Sequence, residues 1–228
     1  MAGYEAVPGK DTNIGAKRAR ETRAALGLTA DEPLDVLAVV ERRAELPVIV
    51  ASLPDEIAGG CFRAGERAVL WVNGDQPLVR GRFTLAHELG HVRCRHEVGM
   101  NVDAVSVLAG ETRDAREVQA NAFAAELLAP RAGVEALVDG EPGLDTVVDI
   151  AARFGISTLA ALYRLSTLRL TSRVERLRGE LEQGLAAHFD RPPYDDTLAR
   201  ITELPRLSPA LQGSRLATMP DALLGLGG

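Results

Sequence analysis

The hydrophobic pattern turns strand-like after Pro47 and helical again near Asn73-Gly74, and the second change limits the chain to few folds. Before it, Val48-Ile49-Val50, Ile57 to Arg63 and Ala68-Val69-Leu70-Trp71-Val72 read as short strands, the middle one loosened by Gly59-Gly60. After it, from Arg80 nearly to Asp190, the chain reads as helical. Strands gathered in one run and helices in another predict an α+β fold. The helical pieces expected are Arg80–Arg95, Arg113–Leu128, Arg131–Val138, Asp145–Phe154, Ser157–Leu168 and Thr171–His188, punctuated by Pro130, Gly140, Pro142 and Gly155. Two more precede the strands, one over Gly15 to Leu26 and one from Asp31-Glu32-Pro33 to about Glu45. The expected architecture is a small antiparallel sheet packed on the helix that follows it, then a mainly helical half.

This pattern divides the 228 residues into a loose N-terminus over 1–14, a core domain over 15–140, a helical region over 141–190 and a Pro- and Gly-containing tail over 191–228. Leu204, Leu207, Leu211, Leu223 and Leu224 suit a tail partly ordered on a partner or on the core. The stretch from His96 to Glu111 has no clear period and reads as a long loop, a kind that is often functional. Aromatic residues are 4% of the chain, so the core must rest on Leu, Val and Ala. The net charge of −6 argues against a surface that wraps nucleic acid. Cys61 and Cys94 do not make a disulfide framework. Without a signal-like N-terminus or a run of roughly 18 apolar residues, the expected compartment is the cytoplasm, with no membrane partner.

His87 and His91 stand four residues apart in a strongly helical segment. That spacing puts both imidazoles on one face, as two ligands of one tetrahedral Zn²⁺ require. Leu85, Leu89 and Val92 fall roughly opposite and can anchor the helix. Glu88 follows the first histidine, where a carboxylate can take a proton from an attacking water without ligating the metal. The plainer reading is a surface helix with two unrelated histidines. A third ligand must come from further along, where Asp103, Glu111, Asp114 and Glu117 are available. Glu117 is best placed by pattern, amid Val118, Ala120, Ala122, Phe123 and Ala125, although a first-turn acid is also favoured by the helix dipole alone. Asn121, one turn on along the same face, could orient the Glu117 carboxylate. Glu126 lies about 180° around that helix and cannot share a metal with Glu117.

The run Arg82-Phe83-Thr84-Leu85-Ala86-His87-Glu88-Leu89-Gly90-His91, with Glu117-Val118-Gln119-Ala120-Asn121-Ala122-Phe123-Ala124-Ala125-Glu126-Leu127-Leu128-Ala129-Pro130 after it, resembles the ImmA/IrrE metallo-endopeptidases. The resemblance covers about Gly15 to Leu170 and implies a zincin-like HExxH helix. It implies one Zn²⁺ per chain held by His87, His91 and Glu117, with Glu88 as general base. The implied activity is site-specific cleavage of helix-turn-helix repressors of the XRE type, relieving repression in phage or mobile-element induction or in stress responses.

Asp145 to Leu170 itself looks like a helix-turn-helix, with Ser157 able to cap its second helix. Arg153, Arg164 and Arg169 make a weak phosphate-binding face beside Asp145 and Asp149, so packing or repressor docking is favoured over direct DNA binding. Cys94, seven residues after His87, could approach the metal, but a small buried apolar role suits it and Cys61 better. His96 reads as an exposed helix-end histidine. No residue identifies itself as the oxyanion donor. Two rival readings are a DNA- or repressor-binding regulator that keeps the zinc fold without cutting, and a zinc peptidase of broad specificity.

Overall fold

The computed structural model describes residues 9–64, 67–96, 100–104 and 112–188. Four strands, β1 (Val48–Ala51), β2 (Ile57–Ala64), β3 (Arg67–Asn73) and β4 (Met100–Ala104), form one sheet in the order β1-β3-β2-β4. β2 runs antiparallel to both β3 and β4, but β1 lies parallel to β3, with Val48 opposite Leu70 and Val50 opposite Val72. The α+β class holds, while the sheet is mixed where a wholly antiparallel one was expected. Hydrophobic period gives a strand its face and says nothing of which neighbour it takes. Alternation sends Val48, Val50, Leu70 and Val72 to the main core and Ile49, Val69 and Trp71 to a smaller cluster on the other side. β4 falls in the stretch expected to be a loop, because Met100-Asn101-Val102-Asp103-Ala104 lacks the run of β-branched apolar residues that marked β1. Asn73 ends β3, and its Nδ2 donates to the carbonyls of Leu53, Pro54 and Ile57 at 3.1, 3.2 and 2.9 Å, tying the β1–β2 connection to the sheet.

Before the sheet come α1 (Lys10–Ala25) and α2 (Val36–Ala38), which continues as one π-helical turn over Val39–Arg43. α1 therefore begins inside the stretch expected to be loose. The helix after the sheet, α3 (Leu78–Arg93), packs on β2 and β3 and buries Leu85, Ala86 and Leu89 completely. α4 (Ala115–Leu128) lies against both α3 and α1. Two glycines permit these approaches. A Cβ at Gly90 would stand 3.1–3.2 Å from Phe123 and Ala120, and one at Gly15 would stand 2.1 Å from the Gln119 carbonyl oxygen. Arg23 of α1, only 2% exposed, donates to the Leu127 carbonyl at the end of α4 (2.6 Å) and to those of Thr29 and Glu32. One guanidinium thus satisfies carbonyls that a helix end and a loop leave open.

The chain continues through α5 (Arg131–Glu135), α6 (Leu144–Phe154), α7 (Thr158–Thr167) and α8 (Val174–His188). α6 and α7 turn through 106° across Gly155, at φ +59°, and the Ser157 hydroxyl caps α7 by accepting from Ala160 N at 3.1 Å. That is the helix-turn-helix-like segment expected. It is fastened to the core at both ends. Arg82 of α3 donates to Phe154 and Gly155 carbonyls, while Arg164 of α7, 7% exposed, pairs with Glu126 of α4 and donates to Ala129 O at 2.8 Å. Arg164 is consequently withdrawn from the cationic face to which the sequence assigned it. Among the described residues no single helix is long and apolar enough to cross a membrane. The tail over 191–228 lies outside the described residues.

Candidate metal centre

α3 carries its histidines on the side turned toward α4, and α4 brings its first turn up to meet them. His87 Nε2 lies 2.9 Å from His91 Nε2. Glu117 Oε2 stands 3.2 Å from the first of these atoms and 3.3 Å from the second. His87 is fully buried, His91 is 1% exposed, and the Glu117 side chain is 12% exposed. Three donors converging in this way could hold a metal ion, and among the described residues they form the one such group. Glu88 stands on α3 between the two histidines, wholly buried and outside that donor set.

Behind the donors lies a layer of hydrogen bonds. Asn121 was expected to orient the Glu117 carboxylate; its Oδ1 instead accepts from His87 Nδ1 at 2.9 Å. The proton on Nδ1 leaves Nε2 with its lone pair toward Glu117 and His91. His96 was expected to be exposed and is instead 8% exposed, with Nδ1 2.9 Å from His91 Nδ1. The end of α3 explains this. Arg95 takes the left-handed conformation at φ +58°, Arg95 N donates to Val92 O, and His96 N donates to His91 O, both at 3.1 Å. These are the two bonds of a Schellman reversal, which folds the residue after the turn back onto the last helical turn. An arginine in the position usually held by glycine concealed the motif from the sequence. His96 Nε2 then meets Gln119 Oε1 at 3.1 Å, and Gln119 Nε2 donates to Asp11 Oδ1 of α1 at 2.8 Å.

Burial opposes ionisation of Glu117, but the two imidazoles of His87 and His91 beside it outweigh burial and hold the carboxyl far below the usual carboxylate range. Burial lowers the pKa of His96 and so favours its neutral ring. The other acids once available as third ligand are engaged or placed elsewhere. Asp114 caps α4 and pairs with Arg116, Asp103 sits on β4 opposite Gly59, and Glu111 lies outside the described residues. Glu126 faces away from the donors and pairs with Arg164 and Arg20. Cys61 is buried in the main core, and burial pushes the Cys94 thiol up to about 11, so neither joins the cluster.

The sequence matches the family model for the IrrE N-terminal-like domain, Peptidase_M78, over residues 43–166. The chain belongs to this family. Membership supports a metallopeptidase-type function, and the matched span contains α3, the first turn of α4 and all three converging donors. α1, and with it Asp11, lies outside that span. No curated protein matches the chain.

Proposed function

We propose that this chain is a zinc-dependent endopeptidase that cuts a helix-turn-helix repressor at a defined site in the cytoplasm. The observation that carries the reading is the convergence of His87 Nε2, His91 Nε2 and Glu117 Oε2 beside a buried Glu88. A tetrahedral zinc with bonds near 2.0–2.1 Å separates its donors by about 3.3 Å. The distances of 2.9, 3.2 and 3.3 Å among the three atoms suit that ion. Two imidazoles and one carboxylate are also a donor set that leaves a fourth position open.

Zinc, when bound, supplies Lewis acidity toward the scissile carbonyl and the attacking water. Glu88 takes the proton of that water on a carboxylate oxygen and passes it to the departing amine. Asn121 holds His87 in the tautomer whose Nε2 faces inward. The outer strands β1 and β4 offer sheet edges along which an extended peptide can pair. The repressor as substrate rests on the family resemblance of the two motifs. Direct DNA binding by α6 and α7 is disfavoured, since Arg164 is spent on Glu126.

The test is Glu88→Gln. The variant should retain about one zinc per chain while cleavage of the cognate repressor falls by roughly 10²-fold or more. A wild-type protein that stays free of zinc after metal is supplied, or a Glu88→Gln protein that cuts normally, refutes the assignment.

A further inference from the structure

The hydrogen bonds behind His91 have a direction, and it is set from outside the matched region. A carboxylate can only accept, so Asp11 Oδ1 turns the amide nitrogen of Gln119 toward itself at 2.8 Å. Gln119 Oε1 must then face His96 Nε2, which has to carry the proton at that 3.1 Å contact. From the other end, a His91 that ligates through Nε2 carries its proton on Nδ1, so His96 Nδ1 has to accept and the single proton of His96 sits on Nε2. The 2.9 Å contact between His96 Nδ1 and His91 Nδ1 is a hydrogen bond only if His91 donates. His91 with its proton on Nδ1 presents the lone pair of Nε2 to His87 and Glu117. Reversing any hydrogen bond along that line places two donors or two acceptors face to face, and at its end the Nε2 atoms of His87 and His91 and the Glu117 carboxylate converge as acceptors, the arrangement a cation would satisfy.

We infer that Asp11, through Gln119 and His96, fixes the tautomer and ring orientation of His91, so that α1 is a working part of the metal site. The inference rests on the metal-binding reading of His87, His91 and Glu117. His96, Gln119 and Asp11 are positioning residues, since none belongs to the converging donor set. Two packing features hold the relay in register. The left-handed turn at Arg95 returns His96 to His91, and Gly15 lets α1 close on the Gln119 backbone one helical turn from Asp11. His87 is served separately by Asn121, so the two imidazoles are oriented by independent partners.

The experiment is zinc affinity of the full chain, measured by competition with a chromophoric chelator, beside nitrogen-15 NMR of the histidine rings. His96→Ala should weaken zinc by about 10–100-fold, the usual cost of removing a ligand's hydrogen-bond partner. His96→Asn, which restores an acceptor near the Nδ1 position, should recover most of the loss. Asp11→Ala should weaken zinc by a smaller factor, and Asp11→Asn, which can still accept from Gln119, should not. In the zinc-loaded wild type the Nδ1 protons of His87 and His91 should both be protected from exchange. His96→Ala should lose the protection of His91 and keep that of His87, a selective change that general loosening of the fold would not produce. Wild-type affinity in His96→Ala, or equal loss of protection at both histidines, overturns the inference. Wild-type affinity in Asp11→Ala overturns its extension to α1. A wild-type chain that binds no zinc overturns the metal reading itself, and a folded chain that binds zinc regardless of His96 overturns the relay alone.

Discussion

Replacing Arg164 by Met tests whether the helix-turn-helix-like segment is anchored to the core or free to serve a partner. Arg164 is 7% exposed and Glu126 2% exposed. The guanidinium pairs with Glu126 and donates to the Ala129 carbonyl at 2.8 Å. Methionine roughly keeps the buried stem but leaves a buried carboxylate without its main partner. Stranding one member of a buried pair costs about 3–5 kcal/mol. Arg20, 3.5 Å from Glu126 and 56% exposed, offsets about 1 kcal/mol of that at most. The orphaned Ala129 carbonyl adds back about 1 kcal/mol. The single variant should therefore lose about 3–5 kcal/mol, a large share of a domain's typical 5–15 kcal/mol. Removing both charges is different, because no charge is then stranded and the Ala129 carbonyl alone loses its Arg164 partner. Glu126→Leu/Arg164→Met should fall within about 1–2 kcal/mol of wild type. Urea unfolding followed by far-ultraviolet circular dichroism, on zinc-free wild type, both single variants and the double variant, closes the cycle. Additive losses, or an Arg164→Met protein within about 1 kcal/mol of wild type that binds DNA less well, would refute the anchoring argument and return Arg164 to a nucleic-acid face.

Metal linkage gives a second check, since zinc at about a hundredfold excess over Kd should raise the unfolding free energy by about 2.7 kcal/mol. Glu117→Ala should abolish that gain, and a chelator should remove it from the wild type; an unchanged gain in the variant would exclude Glu117 as a ligand. Cys94 supplies a pH test. Its pKa is raised by burial from 9.0 to about 11, so the neutral thiol contributes stability below pH 9 that is lost as pH climbs toward 11. Iodoacetamide should accordingly label Cys94 slowly at pH 8, with the rate rising only toward pH 11; fast labelling at pH 8 would contradict its burial. Asn121→Ala should weaken zinc by about 10–100-fold through His87, as read by chelator competition, with unaltered affinity removing Asn121 from the site.

Much of the site was legible because it is local. The two histidines share a helix whose buried stripe, Leu85 and Leu89, fixes their face, and Asn121 follows Glu117 by one turn. Glu126 was rightly set apart by helical geometry, yet its partner could not be found, because Arg164 lies 38 residues away and looks in sequence like any surface arginine. The parallel pairing of β1 with β3 was hidden for the same reason, since partner choice is decided by how the chain crosses the sheet. His96 escaped because its burial depends on a left-handed residue, and Arg95 carries no mark of that conformation. The π-helical turn over Val39–Arg43 left the apolar run looking like an ordinary helix.

The seating of α1 on α4 also bears on the order in which the molecule is made. Asp11 meets Gln119 across 108 positions, and Arg23 meets the Leu127 carbonyl across 104. During synthesis α1 emerges before the sheet, and it lacks most of the surface it rests on until α4 has followed the sheet and α3 out of the ribosome. Until then its buried face, with Gly15, Ala19 and Arg23, must wait in water or in the care of a chaperone. A nascent chain halted before Glu117 can own both histidines of α3 and still lack the carboxylate and the Gln119 link of the outer brace. Metal capture is thereby deferred until the chain has grown past Glu117, and products truncated before it are left poor at holding the ion.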